Sequence, residues 1–231
     1  FNERGLGHIA LDPQFATNGY FYLYYTVKGA NRNRISRFTA TGNSSSAGGE
    51  VVLMDLDPLS GNIHNGGEMV FGSDGKLYVS AGDGASSANA QSMTSLLGKV
   101  LRINADGSIP SDNPFHTPAG GVYNAIWALG LRNPFSMDIQ PLTGKIMLGD
   151  VGNGWREEIN EIQAGKNYGW PLVEGRRSSQ SVPSNYMDPL YDYAHGTGPD
   201  QGCSIVGAAF YNPPVYQFPE KYHGKFFFAD Y

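Results

Sequence analysis

Three polar segments of this 231-residue chain carry residue types that could do chemistry. The first is Ser60-Gly61-Asn62-Ile63-His64-Asn65-Gly66-Gly67, just ahead of an apolar run. A histidine among glycines at a strand entrance has open space around it. Near neutral pH it can take or release a proton, as a general base must. The same histidine could instead bond a turn carbonyl. The second is Leu129-Gly130-Leu131-Arg132-Asn133-Pro134-Phe135. Arg132 offers a fixed fork of donors suited to carboxylates, and Asn133 adds two donors and an acceptor. The alternative for that pair is a salt bridge and a turn cap. The third is Gly149-Asp150-Val151-Gly152-Asn153-Gly154-Trp155-Arg156-Glu157-Glu158-Ile159-Asn160. Carbonyls in a glycine-rich turn, with Asp, Asn and Glu oxygens nearby, suit Ca²⁺. The segment lacks the spacing of a calcium-binding helical loop, and its alternative is a polar turn before an edge strand.

Other chemistries find no support. There is no phosphate-cradling Gly-rich loop ending in Lys-Ser/Thr, no Cys/His zinc spacing and no Gly-x-Ser-x-Gly turn. Glu157 and Glu158 are adjacent, and neighbours on a strand point to opposite faces, so they do not make a glycosidase pair.

The elements that must position these segments follow from a recurring unit. A Pro- or Gly-containing lead enters a tight turn, then a glycine, then an apolar-aromatic strand. The copies centre on Gly19 (Asn18-Gly19-Tyr20-Phe21-Tyr22-Leu23), Gly75 (Asp74-Gly75-Lys76-Leu77-Tyr78-Val79), Gly144 (Thr143-Gly144-Lys145-Ile146-Met147-Leu148) and Gly224 (Gly224-Lys225-Phe226-Phe227-Phe228). Asn-Gly and Asp-Gly suit hairpin turns that need φ > 0. Repeats of this length fit four-stranded propeller blades with elaborated loops, each copy marking an inner hairpin. The reading is an all-β propeller with about four blades in one domain, residues 1–231, both ends cut from a larger ring. Gly82–Leu97 reads as a loop with one helical turn. Ser108–Val122 and Gly175–Pro199 read as further polar loops.

Composition narrows the class. The 31 glycines and 14 prolines imply frequent turns, and 13% aromatic content led by Tyr and Phe favours strands. Charged residues are 16% and the net charge is −5. That argues against a phosphate-binding basic face, hence against nucleic acid, and gives no polybasic patch for a membrane. No apolar run is long enough for a membrane span. Cys203 is the single cysteine. It is either a buried free thiol or half of a bridge whose partner lies elsewhere.

The motifs taken in order resemble the glucose/sorbosone dehydrogenase family. The matching stretches are Gly5-Leu6-Gly7-His8-Ile9-Ala10-Leu11-Asp12-Pro13-Gln14-Phe15, His64-Asn65-Gly66-Gly67, Gly82-Asp83-Gly84, Leu97-Gly98-Lys99-Val100-Leu101-Arg102-Ile103-Asn104, Asp112-Asn113-Pro114, Gly130-Leu131-Arg132-Asn133-Pro134, Glu158-Ile159-Asn160 and Asn167-Tyr168-Gly169-Trp170-Pro171. The resemblance implies a six-bladed propeller of which this chain holds the middle, with pyrroloquinoline quinone and Ca²⁺ near the axis. It also implies oxidation of a sugar or polyol hydroxyl, with electrons passed to an external acceptor, in a secreted or periplasmic protein. By the same resemblance His64 matches the base that takes the hydroxyl proton while hydride passes to the quinone. Arg132 and Asn133 match a cofactor-contacting pair, and the carbonyls of Gly152 and Asn153 match a calcium-ligating turn.

The chain departs from the glucose-oxidising pattern at Ile63, Val151 and Asn212, where that pattern has Asp, Gln and Lys. Glu174-Gly175-Arg176-Arg177-Ser178 also replaces a segment that helps bind a structural calcium. Further cofactor-binding arginines are expected after Tyr231, so the segment alone is expected not to turn over sugar. The alternative reading is a non-catalytic propeller that binds carbohydrate or a protein partner, as the resemblance to hedgehog-interacting proteins allows.

Overall fold

The repeated glycines close the first hairpin of each sheet in the computed structural model, which describes residues 2–231. Gly19, Gly75, Gly144 and Gly224 all hold φ between 66° and 71°, the left-handed region that glycine enters without steric cost. The first sheet joins β1 (Leu6–Leu11), β2 (Tyr20–Thr26), β3 (Arg32–Thr39) and β4 (Val51–Pro58) in that order. The second joins β5 (Gly66–Phe71), β6 (Leu77–Ala81), β7 (Lys99–Ile103) and β8 (Ile126–Leu129). The third contains β9 (Pro134–Ile139), β10 (Ile146–Asp150), β11 (Arg156–Ile162), β12 (Tyr191–His195) and the short β13 (Gln201–Gly202). The fourth pairs β14 (Ile205–Phe210) with β15 (Phe226–Asp230). All pairings are antiparallel meanders except β12 with β13, which is parallel.

The first strands of successive sheets, β1, β5, β9 and β14, pack against one another in turn. They therefore line the propeller axis, with later strands fanning outward. Among the described residues helix is confined to α1 (Phe15–Asn18) and α2 (Ala88–Gln91), plus three short 3₁₀ turns. Three blades are complete, and a fourth is represented by its inner two strands. The fold is an all-β propeller, as the repeat spacing implies. One loop assignment is corrected: Gly175–Pro199 contains β12. Its Tyr191-Asp192-Tyr193-Ala194-His195 has only half-buried or exposed side chains, so no clean alternation marks it as a strand.

The middle of the chain is the best packed. β6, β7 and β10 have every residue buried, because blades flank them on both faces. Leu77, Val79, Leu101 and Ile103 have no exposed surface, and each contributes about 1.5–3 kcal/mol by burial. By contrast β1 exposes Leu6, Ile9 and Leu11. No helix among the described residues is long and apolar enough to cross a membrane.

Candidate functional site: a polar cluster at one end of the inner strands

In each blade the first two strands run antiparallel, so the start of the first and the end of the second lie at the same end. His64 precedes β5 and Asp83 follows β6; Arg132 and Asn133 precede β9, and Gly152 and Asn153 follow β10. Since β5 and β9 are neighbours on the axis, the topology gathers all of these residues at one end.

Their contacts are direct. His64 Nδ1 lies 2.8 Å from Asp83 Oδ1, with the histidine side chain 13% exposed and the carboxylate 2%. A buried carboxylate is an acceptor, which places the proton on Nδ1 and a lone pair on Nε2. Asp83 is held in turn: Oδ1 accepts from Ala85 N at 2.9 Å, and Oδ2 from Trp170 Nε1 at 2.9 Å. His64 itself sits at φ 57°, a left-handed conformation that costs on the order of 1–3 kcal/mol for a non-glycine residue. A Cβ at Gly82 would collide with the His64 carbonyl, so that glycine lets the two loops touch.

Asp83 also links the histidine to the arginine, because its N–H donates to Arg132 O at 2.8 Å. Asp150 at the end of β10 fixes the Arg132-Asn133 step, accepting from Arg132 N at 2.9 Å and Asn133 N at 2.7 Å. Burial, then the nearby Glu158, push the Asp150 carboxyl well above the ordinary range. The Arg132 guanidinium donates to Val151 O at 2.9 Å and to Asn153 Oδ1 at 3.3 Å, and stands 5.6 Å from the Trp170 ring centre. Its Nε is buried without a partner. Asn133 is engaged within the protein: its Oδ1 accepts from Gly66 N at 3.2 Å, and its Nδ2 faces Glu3 at 3.4–3.5 Å. It ties β5 to β9 through its side chain.

The Gly152-Asn153 turn is built differently. The N–H groups of Asn153, Gly154, Trp155 and Arg156 converge on one oxygen, Glu174 Oε1, at 2.8, 3.0, 2.9 and 3.1 Å. Burial pushes the Glu174 carboxyl up, but the four N–H bonds outweigh it and the group lies below its ordinary value. Within a planar trans peptide the C=O points opposite to the N–H. The carbonyls of Gly152 and Asn153 therefore face away from Glu174, and neither accepts a hydrogen bond among the described residues. Among those residues no three His, Cys, Asp or Glu side chains are grouped to hold a metal. A hard cation at this turn would take neutral carbonyl oxygens from the protein, and two carbonyls without a hydrogen-bond partner fit that demand. An oxygen-rich anionic ring fits the unpartnered Arg132 Nε beside them.

Sequence reasoning assigned no role to Asp83, Trp170 or Glu174, and it offered Asp150 as an oxygen for Ca²⁺, whereas Asp150 is spent on the Arg132 and Asn133 amides. Asp83 alone had a local signal, an acid between two glycines. A separate cavity of about 340 Å³ lined by Asp12, Arg37, Phe71 and Asp106 lies beside the Gly75 hairpin, at the opposite end of β5 from His64.

The glucose/sorbosone dehydrogenase family model matches residues 2–230. The chain belongs to this family. Among curated members, it is 34% identical to the aldose sugar dehydrogenase YliI of Escherichia coli over 176 residues, covering 74% of this chain and 47% of that protein. It is 33% identical over 212 residues to quinoprotein glucose dehydrogenase B of Acinetobacter calcoaceticus, covering 80% of this chain and 43% of that protein. The chain thus spans about half the length of these family members. The PQQ-bound aldose sugar dehydrogenase of Streptomyces coelicolor superposes with a TM-score of 0.74 at 30% identity, over 90% of this chain and 57% of that one.

Proposed function

We propose that this chain carries most of the active site of a quinone-dependent dehydrogenase that oxidises a hydroxyl of an aldose or related polyol, in a secreted or periplasmic setting. The observation that carries the reading is the His64–Asp83 pair beside Arg132: a base with its Nδ1 engaged at 2.8 Å and its Nε2 free, next to an incompletely partnered cation.

His64 Nε2 takes the proton of the substrate hydroxyl. Asp83 keeps the ring oriented and stabilises the charge that develops on it. Bound pyrroloquinoline quinone would supply the hydride acceptor, with an external acceptor re-oxidising it. Arg132 would hold the oxygen-rich ligand through the donors its protein partners leave over, and its packing against Trp170 fixes the guanidinium. The Gly152 and Asn153 carbonyls would hold Ca²⁺. Asn133 keeps the Arg132 backbone registered against β5. Val151 contributes a carbonyl to Arg132, a role independent of its side chain, so the absence of Gln there does not remove the contact.

The test is dye reduction by the full-length protein supplied with Ca²⁺ and pyrroloquinoline quinone, across a panel of aldoses and polyols. Turnover that requires both additions is the expected result. Quinone binding without reduction for any sugar would replace this reading with that of a non-catalytic binding module.

A further inference from the structure

We propose that Glu174 is a positioning residue: its Oε1, by collecting four consecutive backbone N–H groups, aims the Gly152 and Asn153 carbonyls and so sets the affinity of the turn for a divalent cation. This rests on the quinone and calcium reading above and adds a residue to it.

The geometry is unusual for a surface turn. Four donors within 2.8–3.1 Å of one oxygen form a concave nest of the kind that binds anions, here filled by the protein's own carboxylate. The acid is brought there from 18–21 residues away by a loop whose foundations are buried: Tyr168 and Val173 have at most 3% exposure, and Val173 N donates to Gly169 O. The next residue, Gly175, donates to Glu158 Oε1 at 2.6 Å, so the loop is pinned on both sides of Glu174. The turn is fitted to the acid as well. A Cβ on Gly152 would collide with the Arg156 carbonyl and lie 3.0 Å from Glu174 Oε1.

Two effects follow. Fixing four N–H groups fixes the peptide planes between them, so the outward carbonyls need no reorganisation when a cation arrives. A negative charge behind aligned peptide dipoles also makes those carbonyl oxygens better ligands, as groups one shell out commonly do at metal sites.

The experiment uses full-length protein without substrate and reads the Ca²⁺ concentration at half-saturation of pyrroloquinoline quinone binding from the quinone absorbance. Glu174→Ala is expected to raise that concentration about 10–100-fold. Glu174→Gln keeps an acceptor oxygen in place but loses the charge, and is expected to fall between the parent and the alanine variant. Measurement below the melting temperature of each variant separates the effect from loss of fold, and should the alanine variant not fold, Glu174→Asp, one methylene short of the nest, carries the same expectation. A parent-like Ca²⁺ requirement in the alanine or aspartate variant overturns the positioning role and leaves the enzyme reading intact. A parent protein that takes up no quinone at any Ca²⁺ concentration overturns both.

Discussion

The two halves of the site are held by different means. On the second blade the polar atoms belong to side chains, and a buried hydrogen bond fixes them: Asp83 grips His64 and is itself gripped by Ala85 N and Trp170. On the third blade the outward groups are backbone carbonyls, and one carboxylate fixes them from behind through four N–H groups. The difference follows from the task. A group that moves a proton must change charge, so it needs a titratable side chain with a partner that favours one orientation. A group that holds a hard cation needs only well-aimed oxygen, which the backbone supplies without an ionisable atom.

The comparison breaks most readily at His64. His64→Ala is expected to cut sugar oxidation by about 10²–10⁴-fold while quinone binding stays near the parent level; parent-like turnover would remove the residue from the role. Asp83→Asn keeps size but loses the charge and sets an amide against Trp170 Nε1. A fall of roughly 10–10³-fold in kcat is expected, again with quinone binding little changed, and a loss of quinone binding equal to the loss of rate would mean that Asp83 serves both halves alike. Gly152→Ala probes the other half and should show the converse pattern. Crowding against the Arg156 carbonyl is expected to weaken Ca²⁺-dependent quinone binding about 10–100-fold, with maximal rate at saturating Ca²⁺ and quinone affected less. Rate lost at full saturation, with an unchanged Ca²⁺ requirement, would contradict the division between the halves.

The smallest effect concerns stability beneath the turn. Glu158 is buried opposite Asp150 in the β10–β11 register, with Glu174 and Asp192 also near. Burial raises its carboxyl to about 7, from an ordinary value of 4.5. Between those two values the folded chain holds more protons than the unfolded one, so stability falls as pH rises through that window and levels off above it. Glu158→Gln is expected to flatten this slope and to gain on the order of 1–3 kcal/mol above pH 7. Asn160 Oδ1, buried without a partner, is free to accept from the new amide. Thermal melts from pH 4.5 to 8 check the sign, and an undiminished slope in the variant would assign it to another group.

What the sequence reveals divides along the same physical line. The hairpin glycines were legible because a turn that needs φ > 0 is a local demand, met within four residues. The helical turn in Gly82–Leu97 was legible for the same reason, and α2 lies there. His64, Arg132 and the Gly152-Asn153 turn stand out as polar groups beside glycines at strand ends. Asp83, Trp170 and Glu174 were not legible as partners, because Asp83 meets Trp170 across 87 positions and Glu174 meets its amides across 18–21. No pattern of spacing announces such contacts. β12 escaped because its side chains lack the burial alternation that betrays a strand.

The loop from Gly169 to Gly175 touches both halves, Trp170 bonding Asp83 and Glu174 bonding the turn. Local opening of a protein proceeds in cooperative units, and this loop joins two supports into one such unit. Its detachment would free the Trp170 indole and the amides of residues 153–156 in a single event. In native-state hydrogen exchange those five protons are expected to share one opening free energy, distinct from that of the buried β6 and β7 amides. The His64–Asp83 pair and the 152–156 turn, although built on separate blades, would therefore come apart together.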